Sequence, residues 1–263
     1  MTGLRKTRWQ LSLAVLVCSG RLLAGEPIPA GPLGDAIRWG ERILTHTAQA
    51  LPQFSGNALN CTSCHLDAGR KPYSSSWVGV WGVFPEYRSR SARINLLEDR
   101  VNDCFERSMN GRALPLDSPE MRAILAYMQW LSAGVPTGQE GPGRGFKRIS
   151  APAPPDPKRG ERIYAEKCVL CHGKEGEGTY NEHGETVFPP LWGPRSFNIG
   201  AGMARVNTAA AFVKANMPFG QDNTLTDQEA FDVAAFFTHQ PRPDFPGKER
   251  DWPLGDKPKD SRY

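Results

Sequence analysis

Two Cys-x-x-Cys-His pentapeptides, Cys61-Thr62-Ser63-Cys64-His65 and Cys168-Val169-Leu170-Cys171-His172, stand 107 residues apart in a chain of 263. The spacing fits covalent attachment of c-type haem. Two thiols form thioethers with the vinyl groups, and the adjoining His is held against the iron as an axial ligand. A zinc or redox reading of Cys-x-x-Cys fits less well, because both copies carry the same adjacent His. The expected cofactors are therefore two covalently bound haem c groups, attached through Cys61, Cys64, Cys168 and Cys171 and ligated by His65 and His172.

Four of the six cysteines are used in this way, which leaves Cys18 and Cys104. Cys104 follows His65 by 39 residues, in a segment expected to be helical from Glu98 to Met109. Arg100 and Ser108 stand at i−4 and i+4, so a helix puts all three on one face. A cationic neighbour favours the thiolate, a thiolate can ligate haem iron, and a planar guanidinium can grip a small oxyanion. Arg88, Arg90 and Arg93 form a further cationic cluster after the aromatic run Trp77, Trp81, Phe84 and Tyr87, which reads as pocket wall. In the second half, Met217-Pro218 lies 45 residues after His172 and supplies a candidate axial thioether in Met217. Met203, in a glycine-rich segment, is the alternative ligand.

These residues need helices to position them. Pro157 to Glu166 reads as a helix running into Cys168, and Thr226-x-x-Glu229 is a capping box opening an apolar-periodic helix that ends near His239. A helix, a haem motif and a second helix form the pattern of small class I cytochromes c, which the second half resembles. The first half is expected to depart from it. The halves show no close sequence repeat beyond the motif. Six prolines and several glycines between Gly134 and Pro157 read as a linker. The expected fold is mainly α: a cytochrome c-like domain over 26–133, a Pro/Gly-rich linker over 134–157, and a class I cytochrome c domain over 158–263.

Residues 1–25 have a basic start, an apolar run from Leu11 to Val17 and a Leu22-Leu23-Ala24 end, the layout of a signal peptide. Val15-Leu16-Val17 lacks the small residues that precede a lipidated cysteine, so cleavage is expected to remove Cys18. No other apolar stretch is long enough to span a bilayer. The expected location is the periplasm. The formal net charge of +4 comes from Arg5, Lys6, Arg8 and Arg21 in the leader, so the mature chain is near neutral and ionised haem propionates make it negative. No basic stripe of a nucleic-acid binder is present.

The run from Arg90-Ser91-Ala92-Arg93-Ile94-Asn95 through Glu98-Asp99-Arg100-Val101-Asn102-Asp103-Cys104-Phe105-Glu106-Arg107-Ser108-Met109-Asn110-Gly111 resembles the signature of dihaem thiosulfate dehydrogenases. The resemblance covers both haem motifs, the domain order and the Met217-Pro218 segment. It implies His65/Cys104 ligation at haem 1, His172/Met217 at haem 2, and a substrate pocket of Arg90, Arg100 and Ser108 around a catalytic Cys104. It implies oxidative coupling of thiosulfate to tetrathionate, with electrons leaving to an external acceptor such as a soluble cytochrome c. Some members carry lysine just before the haem 2 methionine, where this chain has Asn216. A dihaem electron carrier without its own substrate is the competing expectation.

Overall fold

A computed structural model describes residues 27–263; the expected leader and Cys18 lie outside them. The helices are α1 (Pro32–Thr45), α2 (Thr47–Ala50), α3 (Leu97–Arg107), α4 (Pro119–Leu131), α5 (Pro157–Lys167), α6 (Val169–His172), α7 (Val206–Asn216) and α8 (Asp227–His239). Four short strands, β1 (Glu86–Arg88), β2 (Arg93–Asn95), β3 (Thr179–Tyr180) and β4 (Thr186–Phe188), form two antiparallel ribbons, β1–β2 and β3–β4. No helix among the described residues is long and apolar enough to cross a membrane.

Both halves place an N-terminal helix across a C-terminal one, α1 on α4 and α5 on α8. This corrects the expectation for the first half, whose α4 has a plain apolar stripe of Met121, Ile124, Tyr127, Met128 and Leu131 at helical spacing. Each crossing is made by a glycine. A Cβ on Gly40 would lie 2.0 Å from the Ala123 carbonyl oxygen, and one on Gly160 would lie 2.0 Å from that of Asp232. Both glycines open the same tetrapeptide, Gly40-Glu41-Arg42-Ile43 and Gly160-Glu161-Arg162-Ile163. The halves therefore share this tetrapeptide as well as the haem motif.

The helix ends follow local chemistry. Ser118 Oγ accepts from the Met121 N–H and Asp156 from that of Lys158, each just ahead of a proline in the first turn. The Thr226/Glu229 capping box forms as expected. α3 starts where the Asp99 carboxylate takes the Leu96 N–H at 2.8 Å, and it runs over Leu97–Arg107 rather than to Met109.

Asparagines join the halves. Asn198 Nδ2 donates to the Glu106 carbonyl at 2.9 Å and its backbone N–H to that of Arg107 at 3.1 Å, capping α3 from the second half. Asn110 Nδ2 donates to the Ser196 carbonyl at 2.6 Å, and Asn57 Nδ2 reaches the same carbonyl at 3.5 Å. The C-terminal segment then straps back over α3. Asp251, with 4% of its side chain exposed, takes two bonds from the Arg107 guanidinium at 2.9 Å each and one from the Tyr263 hydroxyl. Replacing Asp251 with Asn keeps the shape but leaves Arg107 a neutral partner, so Asp251→Asn is expected to cost about 2 kcal/mol. A lowered thermal midpoint of the holoprotein checks this.

Candidate functional site

α3 carries the chemistry expected of it. Cys104, Arg100 and Ser108 all line one cavity of about 330 Å³ together with Cys61, Cys64 and His65. The Arg100 Nη1 donates to Cys104 Sγ at 2.9 Å. Arg100 is held above its ordinary pKa, first by the charge of Cys104 and against the opposing effect of burial. Leu97 and Val101 of α3 line the same cavity, as does Met109 just past its end, and Phe105 is buried in the core.

The residues around the first motif prepare His65 as a ligand. Its Nδ1 is 2.7 Å from the Ser75 carbonyl, which fixes the proton there and leaves the Nε2 lone pair. Burial pushes the imidazole down to about 4, so it is neutral. Trp77 stacks on its ring at 4.7 Å between centroids. Trp77 itself lies against Gly69, where φ is +80° and a Cβ would sit 1.8 Å from the indole. Burial also pushes the Cys61 and Cys64 thiols up to about 12, and Thr47 Oγ1 donates to Cys61 Sγ at 3.4 Å.

The second motif is built alike. His172 Nδ1 is 2.9 Å from the Pro189 carbonyl, and burial lowers its pKa. The buried Tyr164 of α5 donates its hydroxyl to the Gly173 carbonyl at 2.7 Å, tying that helix to the motif. Cys168, Cys171, His172 and Met217 line a second cavity, of about 420 Å³. Met203 borders both cavities, as do Leu59, Asn60, Ser63, Cys64 and Phe197, so the two share a wall.

Each cavity thus gathers a Cys pair, a neutral His with its Nδ1 occupied, and a sulfur side chain from a distant segment. That donor set fits a haem in each. Where bound, the first would be held by Cys61, Cys64 and His65, and the second by Cys168, Cys171 and His172.

Arg90 is placed differently from the expectation. Its Nη1 donates to the Gly200 carbonyl at 2.6 Å, and its guanidinium lies 4.6 Å over the Trp252 ring and 3.8 Å from Asp251. The buried Asp251 carboxylate draws both Arg90 and Arg107 into the C-terminal strap, and Arg90 does not line the first cavity. Arg93 faces outward, 67% exposed, near Asp99. Of the aromatic run, Trp77 and Phe84 line the cavity, whereas Trp81 and Tyr87 are exposed. Reading the sequence also missed a wall supplied by Arg144, Gly145 and Phe146 from the Pro/Gly-rich segment. Its composition signals a spacer and nothing in it signals contact.

Comparison with known proteins agrees with this architecture. The family model described as the SoxA/TsdA cytochrome c domain matches residues 52–137, and that of the cbb3-type cytochrome c oxidase subunit III matches residues 155–237. The chain is 49% identical over 235 residues to the thiosulfate dehydrogenase of Psychrobacter arcticus, covering 89% of this chain and 72% of that one. It is 49% identical over 222 residues to that of Allochromatium vinosum, covering 83% and 82%. The solved thiosulfate dehydrogenase TsdBA from Marichromatium purpuratum superposes with a TM-score of 0.80 at 44% identity. That match covers 84% of this chain and 49% of the other, so the chain spans about half of TsdBA. With two cytochrome c domains and this identity over most of its length, the chain belongs to the thiosulfate dehydrogenase family of oxidoreductases.

Proposed function

We propose that the protein couples two thiosulfates to one tetrathionate, releasing two electrons as one sulfur–sulfur bond forms. The observation that carries the reading is the Arg100–Cys104 pair at 2.9 Å in the wall of the cavity that holds the first Cys-x-x-Cys-His motif. A carrier without a substrate has no use for a guanidinium buried on a cysteine sulfur, because burying it carries a desolvation cost that pairing only offsets.

When bound, two covalently attached haems would supply two one-electron acceptors, the first held by His65 with Cys104 and the second by His172 with Met217. The chain's own residues bring the substrate to them. Thiosulfate is a dianion, and Coulomb repulsion between two dianions at about 4 Å amounts to roughly 16 kcal/mol at an effective dielectric constant of 20. Arg100 offsets part of this by gripping the sulfonate oxygens, and the Ser108 hydroxyl at the end of α3 adds a donor on the same face. Cys104 contributes either as a ligand whose charge stays in place or as the sulfur that bonds to the first sulfane sulfur as two electrons leave, the second thiosulfate then attacking that sulfane sulfur and displacing Cys104 to give tetrathionate. Arg90, held in the strap, supports α3 rather than the substrate. The shared wall of Phe197 and Met203 places the second cavity next to the first, and an external acceptor such as a soluble cytochrome c takes the electrons onward. The same reaction can run in reverse if the potentials favour it. The proposed location is the periplasm, where c-type haem is attached.

The test is thiosulfate-dependent reduction of ferricyanide by the purified holoprotein, with tetrathionate measured as product. Turnover with one tetrathionate per two ferricyanides supports the reading. No turnover with thiosulfate would leave the electron carrier as the function.

A further inference from the structure

The first cavity contains more cationic groups than Arg100, and they come from two places far apart in sequence. Arg88 lies on β1 and Arg144 in the segment between the domains, and both line the cavity with Arg100 and Cys104. They meet at Glu86, whose Oε2 is 3.3 Å from Arg88 Nη1 and 3.5 Å from Arg144 Nη2. Arg144 also reaches the exposed Glu140 at 2.7 Å.

The position of Arg144 is fixed by the backbone on either side of it. The Gly143 carbonyl accepts from the Tyr73 N–H at 2.7 Å, and the Gly145 carbonyl from the Ser75 N–H at 2.8 Å. Ser75 is the residue whose own carbonyl orients His65. Gly143 has φ +66°, and a Cβ there would lie 2.4 Å from Pro72. This part of the Pro/Gly-rich segment is therefore docked against the loop behind His65, and it presents Arg144 to the cavity.

Charge separates the two arginine positions. Arg100 is already matched by the Cys104 sulfur at 2.9 Å, whereas Arg88 and Arg144 share one lining carboxylate. Two guanidiniums present ten N–H donors, and one oxygen of Glu86 with one of Glu140 leaves most of these for another acceptor. A tetrahedral oxyanion with several oxygens can bridge both forks.

We propose that Arg88 and Arg144 form a second oxyanion subsite in the first cavity, which receives the sulfonate of the incoming second thiosulfate while Arg100 serves the first. This rests on the thiosulfate-coupling function above. The segment between the domains is then part of the substrate site as well as a connection.

The experiment uses the oxidised holoprotein with Arg144→Gln, Arg88→Gln and Arg144→Lys, read three ways: steady-state thiosulfate kinetics, calorimetric titration with sulfate as a redox-inert oxyanion, and the haem 1 midpoint potential. In the two glutamine variants KM is expected to rise about tenfold with kcat within twofold, and sulfate affinity to fall about tenfold. The midpoint potential is expected to stay at the wild-type value, and Arg144→Lys to recover part of KM as a point charge without a fork. Unchanged KM and sulfate affinity would overturn the subsite. So would a shifted potential with unchanged KM, which would assign these arginines to the cofactor's carboxylates. If the wild type does not turn over thiosulfate, the functional reading fails separately. Sulfate binding lost in Arg144→Gln would then still establish the oxyanion subsite, and no sulfate binding in the wild type would remove it.

Discussion

Replacing Cys104 with Ala is expected to leave a protein with both haems attached and turnover reduced by about a thousandfold or more. The proposed haem attachment uses Cys61, Cys64, Cys168 and Cys171, none of which touches Cys104 among the hydrogen bonds of the site. Ala is chosen because it is the best helix former and Cys104 lies inside α3, whereas Gly there would add about 1 kcal/mol of helix cost. Both proposed roles of the sulfur, ligand and nucleophile, are lost together. They differ in what remains: loss of a thiolate ligand raises the haem 1 potential and alters its absorption spectrum even without substrate. Turnover near the wild-type rate at equal haem content would remove both roles.

The second large effect concerns the fold. Gly160→Val is expected to cost about 3 kcal/mol or more and to lower the thermal midpoint by about 10 °C or more. The reason is the α5–α8 crossing, where a Cβ at residue 160 would meet the Asp232 carbonyl oxygen at 2.0 Å and the Phe236 Cβ at 2.9 Å. The obstructing atom is helix backbone, so relief requires the two helices to move apart. Separation would disturb the packing of Tyr164 on Trp192 and Phe236, whose ring centroids lie 5.0 and 5.4 Å away, and with it the hydroxyl bond to Gly173 behind His172. Glu161→Ala, one residue on and exposed, is the control and should change the midpoint little. Gly40→Val is expected to act the same way at α1–α4. A midpoint of Gly160→Val equal to that of the control would mean the crossing does not constrain the fold.

How much of this was readable in advance depends on whether the signal is local. The haem motifs, Met217, the α8 capping box and the shared face of Arg100, Cys104 and Ser108 are set by spacing within one or two turns. The structure brings those three α3 residues to one cavity. The Gly-Glu-Arg-Ile repeat was also in the sequence, but Gly40 stands 21 residues before Cys61 and Gly160 only eight before Cys168. The offset hides the correspondence until both helices are seen against their partners. Arg90 was misplaced because its surroundings come from Gly200, Asp251 and Trp252, more than a hundred residues on. Arg144 was missed for the same physical reason, since backbone bonds to Tyr73 and Ser75 leave no trace in side-chain composition.

Thiosulfate itself is the proposed electron donor at the first cavity. The direct measurement mixes oxidised holoprotein with excess thiosulfate under anaerobic conditions and no other acceptor, following haem absorption and tetrathionate together. Two haems accept two electrons, so the expected result is reduction of both haems with one tetrathionate formed per protein, and no reduction in Cys104→Ala. Haems that stay oxidised in the wild type, or that become reduced with no tetrathionate formed, would contradict it.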